Sequence, residues 1–350
     1  MLLLSRGLMA KIRQFNIIHY SKVNKLLSAI SPDEKLSFGE TFLGFFSDVV
    51  QNFLPLSLKK SPESFIAINE NDEARAFITL EAVSGNRRKW YIKRLFLYKN
   101  SFEEGKQLID YIVAKYGALG ADTFCVLIDE NDDTSAGLFS KMCGFRLCSR
   151  EIVWKCNDFN TIDTPYKKDM FNFFRNYDSK SVADFYNDGI APHFRFSLEK
   201  EPHEFNESLF KGFSKVQSFK MVLRDKSAQI LAYAEIQSVS KNGWLIDLIV
   251  TKPNEDKYLP ILKCIINTIK NRSSSSEIYV LNRNYMTCAK TFEEILESEH
   301  FEKTQIKMLL VKDFYKPVRA TETIVNPAVI FNEITGKPAF LAPDSLQKSD

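Results

Sequence analysis

The apolar residues of this chain recur at strand-like and helix-like spacings, and this pattern predicts most of its secondary structure. In the first half, short runs of alternating or continuous apolar residues are separated by stretches with helical spacing. Ahead of these runs, the pattern predicts a first strand at residues 12–18 and two helices at residues 21–30 and 40–53. The later strands are predicted at residues 64–69, 75–82, 89–98, 123–128 and 146–155, and the later helices at residues 103–116 and 135–142.

The same order of elements recurs about 154 residues further along the chain. Ser64-Phe65 recurs as Ser218-Phe219, and residues 124–127 align with residues 278–281 at the same offset. A repeat this long indicates a duplicated domain, because each copy is large enough to bury its own core. The repeat predicts strands at residues 218–223, 230–237, 244–251, 277–281 and 306–311, and helices at residues 257–270 and 287–297. We therefore predict domains at residues 10–156 and 171–316, a linker at residues 157–170 and an extended C-terminal arm at residues 317–350.

Composition and charge narrow the class of protein. The 350 residues are 45% hydrophobic and 26% charged, as in ordinary globular proteins, and the net charge of +3 is too small to require a nucleic acid or an anionic membrane. The six cysteines include no CxxC pair, the four histidines are scattered, and no window of 18 residues is free of charge. We expect a soluble, cytoplasmic protein without a metal, a membrane or an obligate nucleic acid, in an oligomeric state that the sequence leaves open.

Three segments resemble one family of enzymes. Residues 91–97 (YIKRLFL), 105–109 (GKQLI) and 138–145 (LFSKMCGF) are similar to the fourth strand, the cofactor helix and a late helical segment of the GNAT N-acetyltransferases. The likeness covers most of the first copy, and the repeat extends a weaker form of it to the second. It implies an α/β fold of two tandem GNAT-like domains, each a mixed, mostly antiparallel sheet flanked by helices.

The resemblance also implies a co-substrate and its contacts. In that family the fourth and fifth strands run parallel and separate, and the pyrophosphate of an acyl-CoA lies at the N-terminus of the next helix. Acetyl-CoA or another acyl-CoA is therefore the expected co-substrate. Asp247, on the fourth strand of the second copy, is the predicted catalytic carboxylate that takes the proton of the amine. The predicted cofactor-binding residues are Leu97, Lys99, Gly105, Lys106 and Asn131.

The loop before the predicted cofactor helix departs from the family pattern. It has one glycine, Gly105, where the family usually has two, and it lacks an Arg or Gln at its start. Ser101 and Glu104 match a capping box, in which the two side chains would occupy backbone donors that a phosphate needs. The corresponding loop of the second copy, residues 254–260, has no glycine. We expect the first copy to keep the better cofactor site and the second copy to shape the acceptor groove.

Several charged residues support two interpretations each. Glu81 and Glu235 occupy the same position in the two copies, and they either face a ligand groove or form salt bridges on an outer face. The basic run at residues 87–94 either binds phosphate or an RNA backbone, or it forms a solvated hairpin. The alignment of the two copies places Arg94 where the second copy has Asp247.

The leading hypothesis is an acyltransferase of the N-acetyltransferase type, which transfers an acyl group from acyl-CoA to a small-molecule or peptide amine. The first alternative is a non-catalytic GNAT-like binding or scaffold protein, because the cofactor motifs are degenerate and a fold alone does not establish an activity. The second is a Fem-like aminoacyl transferase, which would bind tRNA through the basic run. An open wedge between the fourth and fifth strands of the first copy favours the enzyme, and a filled one favours the scaffold.

Overall fold

The computed structural model describes eight segments of the chain, and those up to Asp313 belong to one compact unit. The helix predicted at residues 40–53, the linker at 157–170 and the arm at 317–350 lie outside the described residues. The predicted domain boundaries therefore stay predictions. The described segments are residues 10–29, 62–83, 87–99, 101–156, 171–206, 218–240, 242–271 and 277–314.

In the first copy, the strands predicted from residue 64 onward are confirmed to within one residue at each end. The late helix differs, because it begins as one α-helical turn and continues as a π-helical turn at Gly137–Met142. The elements are β1 (Lys11–Gln14), α1 (Tyr20–Ala29), β2 (Glu63–Ile68), β3 (Ala74–Ala82), β4 (Lys89–Leu97), α2 (Phe102–Ala118), β5 (Thr123–Asp129), α3 (Asp133–Ala136) and β6 (Arg146–Cys156).

The second copy repeats this order with its own strand and helix lengths. A 3-10 turn at Lys252–Lys257 leads into its longest helix, where the first copy has a shorter turn. The elements are β7 (Phe171–Phe173), α4 (Ser179–Gly189), α5 (Arg195–Leu198), β8 (Ser218–Arg224), β9 (Ile230–Ser238), β10 (Gly243–Val250), α6 (Tyr258–Lys270), β11 (Glu277–Arg283), α7 (Ala289–Ser298) and β12 (Glu302–Asp313). In the described ranges, no helix combines the length and the apolar character that a membrane crossing needs.

The described strands form one twelve-stranded sheet in which the two copies exchange their last strands. The order is β1-β2-β3-β4-β5-β12-β6-β11-β10-β9-β8-β7. β12 pairs with β5 from Lys307 opposite Asp129 to Asp313 opposite Thr123, and β6 pairs with both β12 and β11. The strand predicted at residues 146–155 forms as β6, but it lies beside β11 of the second copy and not beside β5. The alternation of apolar residues sets which face of a strand is buried, but it does not set which strand lies beside it.

The hydrophobic cores confirm the exchange. Leu310, on β12, is buried with Phe65, Leu108 and Phe139 in a core between the sheet of the first copy and α2. Trp154, on β6, is buried in the core of the second copy. Each copy thus contributes a large apolar side chain to the core of the other, and burial of such a side chain contributes about 1.5–3 kcal/mol.

On the opposite face of the sheet, one cluster of buried residues spans both copies. Tyr186 of α4 packs with Tyr233 and Ile249 of the second copy, and the same cluster includes Cys125 of β5 and Leu309 of β12. The segment that follows α4 extends over β3 and β4 of the first copy. Its contacts there include a hydrogen bond from Lys89 Nζ to the carbonyl oxygen of Glu199.

Candidate active site

In both copies the fourth strand separates from the fifth. β4 and β5 run parallel and pair from Lys89 opposite Thr123 to Ile92 opposite Val126. Beyond Ile92, β4 has no partner on β5 among the described residues, so a wedge opens at the C-terminal end of β4. In the second copy β10 and β11 pair as far as Asp247 opposite Leu281 and then separate in the same way. Backbone groups at such an opening can pair with the amides of a ligand.

A bulge in β4 lies where the wedge begins. Ile92 is opposite Leu80 on β3, but Arg94 is opposite Thr79, so Lys93 is an additional residue in β4. The bulge changes the correspondence between the two copies. Asp247 lies opposite Glu235, and the residue opposite Glu81 is Tyr91. The alignment of Asp247 with Arg94 stays a prediction, because the pairing with the fifth strand matches Ile92 to Ile246 and so places Asp247 level with the bulge.

The first turn of α2 presents backbone donors next to the wedge. The predicted capping box is wrong, because the Ser101 side chain makes no capping hydrogen bond and Ser101 has φ −75° and ψ 51°, outside the extended conformation of capping residues. No acceptor for the N–H groups of residues 102–104 occurs among the described residues. Such donors at the N-terminus of a long helix favour an anion, although Glu103 and Glu104 in the same turn oppose it.

Gly105 brings α2 close to the end of β4. A Cβ atom at this position would lie 2.7 Å from Leu97 Cδ2 and 3.6 Å from Leu138 Cδ2. Gly105 N–H donates to the carbonyl oxygen of Ser101 at 3.0 Å. The structure thus brings together two of the predicted cofactor-binding residues, Leu97 and Gly105. A direct contact of Gly105 N–H with phosphate would require this helical hydrogen bond to break.

The other predicted cofactor-binding residues lie at the surface. Lys99 is exposed just before α2 and has a positive φ of 39°. Lys106 donates to Asp110 at 2.6 Å, and this hydrogen bond raises the pKa of Lys106. Asn131 is exposed in the turn after β5, where its N–H donates to Asp129 Oδ1 at 3.0 Å. Lys99 and Lys106 border the first turn of α2, and the roles of all three residues stay predictions.

A cavity of about 310 Å³ lies on the other face of β4. Tyr91 packs with the cluster beneath α4, whereas Ile92 packs with α2, so the cavity and α2 lie on opposite faces of the sheet. Lys93, the first residue of β4 beyond the last pair with β5, lines the cavity, which therefore adjoins the wedge. The polar lining consists of Glu81, Lys89, Tyr91 and Lys93 from the first copy and Lys200 and Glu204 from the second.

Comparisons with known proteins agree with this geometry. No family model matches the sequence, and no curated protein matches it. A solved structure described as a tandem GNAT protein from the clavulanic acid biosynthesis pathway is similar to this chain with a TM-score of 0.56 and 9% identity, over 87% of this chain and 98% of that one. This chain has a tandem GNAT fold.

Two further solved structures share the GNAT fold. One is a GCN5-related N-acetyltransferase from Sphaerobacter thermophilus, with a TM-score of 0.50 and 12% identity over 87% of this chain and 95% of that one. The other is a probable N-acyltransferase from Enterococcus faecalis V583, with a TM-score of 0.51 and 8% identity over 87% of this chain and 72% of that one. At these identities the likeness shows the fold alone, and the activity depends on the residues at the wedge and the cavity.

In the second GNAT copy the wedge is filled by a tyrosine. Tyr258, the first residue of α6, donates from its hydroxyl to the carbonyl oxygen of Val250 and accepts from Val250 N–H, both at 3.3 Å. Its ring stacks on Phe292, with 4.3 Å between the centroids. The first residue of α2 is Phe102, which has no hydroxyl. The side chain of Tyr258 therefore occupies strand groups that Phe102 cannot bind in the first copy.

We expect Tyr258→Phe to lower the free energy of unfolding by about 1–2 kcal/mol, because the backbone groups of Val250 lose a buried partner. Chemical denaturation in urea measures the change. Tyr177→Phe is the matched control, since Tyr177 is 76% exposed and the same atom is removed without burial. Equal stabilities of the two variants would contradict the role given to the Tyr258 hydroxyl.

An acidic residue also occupies the start of α6. The Glu255 carboxylate accepts hydrogen bonds from Thr291 at 3.1 Å and from the Cys288 thiol at 3.5 Å. A phosphate at this helix would meet that carboxylate at close range, and like charges repel strongly where water is excluded. In the second GNAT copy the Tyr258 hydroxyl thus occupies the backbone groups of Val250, and the Glu255 carboxylate opposes a phosphate near the start of α6.

Asp247 is held in a nearly buried ion cluster. Its carboxylate pairs with Arg283 of β11, which also lies 3.4 Å from Glu151 of β6. The side chains of Asp247, Arg283 and Glu151 are 16%, 12% and 15% exposed. The catalytic role of Asp247 stays a prediction, and proton uptake by Asp247 would require the ion pair with Arg283 to break.

The repeated glutamates and the basic run are engaged within the protein. Glu81 lies 3.6 Å from Lys93, and Glu235 lies 3.9 Å from Lys220 and accepts a hydrogen bond from Gln237. Both acids thus form salt bridges, and Glu81 also faces the cavity. In the basic run, Arg87 pairs with Glu63, Arg88 pairs with Asp122, and Lys89 donates to a backbone carbonyl. These contacts attach the hairpin to the rest of the protein.

Three buried cysteines lack the reactive thiolate of a nucleophile. Burial raises the pKa of Cys125 to about 12 and that of Cys143 and Cys288 to about 11, so these thiols are protonated at neutral pH. No three His, Cys, Asp or Glu side chains in the described part of the chain come together as metal ligands would.

Lys200 and Glu204 are site residues that no pattern in the sequence indicates. They lie in the segment between α4 and β8 of the second copy, more than 100 residues from the strand that they face. No local motif distinguishes them from other surface charges. The repeat could not find them either, because the corresponding segment of the first copy, residues 40–50, has a different sequence.

Proposed function

We propose that the first copy transfers an acyl group from an acyl-CoA, such as acetyl-CoA, to an amine that binds in the cavity between the copies. The wedge at the end of β4, next to the uncapped first turn of α2, is the observation that carries this proposal. Unpaired strand groups suit the amides of a pantetheine arm, and the helix N–H groups suit a pyrophosphate. Leu97 would contact the arm, and Lys99 and Lys106 would offset the charge of Glu103 and Glu104.

The opposite faces of the sheet suit the two substrates. An acyl-CoA on the side of α2 would present its thioester, which supplies an activated carbonyl, at the wedge. The amine on the side of the cavity would lose a proton to a carboxylate, and its nitrogen would attack the carbonyl carbon as the C–S bond breaks. Glu81 is the candidate proton acceptor, because it lines the cavity and lies opposite Tyr91, two residues before the bulge. The thiolate would take its proton from water.

The structure supports the two alternative functions, a scaffold protein and an aminoacyl transferase, to different degrees. A binding or scaffold protein is supported by the filled wedge of the second copy, and it predicts that neither copy binds acyl-CoA. A Fem-like aminoacyl transferase is less supported, because Arg87, Arg88 and Lys89 already make contacts within the protein.

Isothermal titration of the full chain with acetyl-CoA tests the leading proposal. The absence of heat and of any shift in the melting temperature at millimolar acetyl-CoA would overturn it.

Glu103→Lys should increase the affinity for acetyl-CoA about fivefold, because it removes a negative charge from the first turn of α2 and adds a positive one. Glu103 is exposed, so the fold should not change. Titration calorimetry at low salt measures the effect. Glu294→Lys on α7 is the control, since it makes the same charge change on a side chain that is 64% exposed. Equal changes in the two variants would show that net charge, and not the start of α2, sets the affinity.

A further inference from the structure

Two charged side chains of the cavity, Lys200 and Glu204, form no close ion pair with any described residue. Lys200 Nζ lies 4.4 Å from the ring centroid of Tyr186 and 5.5 Å from that of Phe205, and within the described ranges it forms no ion pair. The Glu204 carboxylate accepts a hydrogen bond from Glu201 N–H at 2.8 Å, and none of the described cations lies within ion-pair distance of it. Both side chains are only partly exposed, so each charge has given up some of its hydration without an ionic partner.

The first copy contributes a second pair of opposite charges to the same cavity. Glu81 and Lys93 lie 3.6 Å apart, with side chains that are 33% and 42% exposed. A contact of this length and exposure contributes little and is readily exchanged for a ligand. The cavity therefore offers an anion and two cations, Lys89 and Lys93, from the first copy and an anion and a cation from the second, and a matching ligand carries both signs of charge.

We propose that this cavity binds a small zwitterion of the amino-acid class, which would be the acceptor amine of the proposed acyl transfer. Lys200 and Lys93 bind its carboxylate. Glu204 and Glu81 bind its ammonium group. The assignment of this ligand as the acceptor depends on the proposed function, whereas its binding does not.

The size of the cavity fits a single amino acid. Ligand sites usually range from about 300 to 1,000 Å³, and at about 310 Å³ this cavity is at the lower limit. Tyr91 and the apolar side chain of Leu198 line the same space, and they can contact the uncharged part of an amino acid.

The position of the cavity makes the transfer feasible. Glu81 takes one proton from the ammonium group, and the freed amine nitrogen forms a bond to the carbonyl carbon of the thioester of acyl-CoA. As the bond between carbon and sulfur breaks, the nitrogen loses a second proton, which passes through water to the thiolate, so the products are an N-acyl amino acid and CoA. Lys93 lines the cavity and is the first residue of β4 beyond the pairs with β5. An amine in the cavity would therefore lie next to the opening at which the thioester is proposed to lie.

Saturation-transfer NMR and calorimetry on the full chain, without acyl-CoA, test the binding. The probes are the proteinogenic L-amino acids, together with the methyl ester and the N-acetyl form of each one that binds. We expect at least one amino acid to bind. Its methyl ester, which lacks the carboxylate, and its N-acetyl form, which lacks the ammonium group, should each bind at least about tenfold more weakly.

Variants identify the site of binding. Lys200→Met keeps the apolar stem that packs on Tyr186, and Glu204→Gln keeps an acceptor for Glu201 N–H. Each should weaken amino-acid binding at least about tenfold without a change in the circular dichroism spectrum or the melting temperature. Lys290→Met and Glu294→Gln make the same replacements at exposed positions of α7 and should leave binding unchanged.

The outcomes separate this inference from the proposed function. Failure of every amino acid to bind at millimolar concentration, equal binding of the methyl ester, or binding that Lys200→Met does not weaken would each overturn the amino-acid site. If the amino acids bind as expected and acetyl-CoA does not, the acyltransferase proposal fails and the cavity remains an amino-acid site. If acetyl-CoA binds and no amino acid does, the acyltransferase proposal stands and the acceptor assignment fails.

Discussion

Residues 1–156, expressed alone, should not form a stable monomer. In the full chain β5 has β12 of the second copy as its neighbour, and β6 lies between β12 and β11. The separated first half would therefore lose the partner of β5 along seven residues and the core contribution of Leu310. A long unpaired apolar edge leads to aggregation or to pairing with another chain.

Co-expression of residues 1–156 with residues 157–350 is the matched experiment. The two fragments should form a soluble one-to-one complex, because each supplies the strand that the other lacks. Gel filtration with light scattering gives the stoichiometry, and circular dichroism gives the cooperativity of unfolding. A monomeric first half that unfolds cooperatively at the melting temperature of the full chain would contradict the exchanged arrangement.

Arg283→Met should lower the free energy of unfolding by about 3–5 kcal/mol. The variant leaves Asp247 and Glu151 as two nearly buried carboxylates without their shared cation, and an uncompensated buried charge is one of the most costly single defects in a protein. Urea denaturation at pH 7 measures the loss. The effect should be larger than that of replacing an exposed arginine such as Arg150, whose side chain is 45% exposed.

A triple variant that adds Asp247→Asn and Glu151→Gln to Arg283→Met should recover much of the lost stability at pH 7, because it removes both unpaired carboxylates. A loss that persists in the triple variant would attribute the effect to packing and not to charge.

The secondary structure was predictable because it depends on local periodicity. The spans of β2 to β6 differ from the predicted ones by at most one residue, since alternation and turn residues set where a strand begins and ends. The exchange of β6 and β12 was not predictable. Both strands carry a similar alternation, and either satisfies the local pattern next to β5 or β11.

The candidate site was predictable only in part, for reasons that differ between residues. The wedge and the start of α2 followed from the resemblance to the GNAT fold. The capping box failed because Ser101 does not adopt the backbone conformation that a capping side chain requires. The bulge at Lys93 has no signature in the sequence pattern. Lys200 faces β4 through contacts distant in sequence, which no motif records.

The exchanged strands make the second copy necessary for the fold of the first. If the two halves folded separately, the loss of the second half would leave the strands of the first intact. Here its removal would also remove β12, which lies between β5 and β6. Sequence changes at the wedge of the second half can therefore accumulate while its strands stay under selection, because β5 of the first half depends on β12.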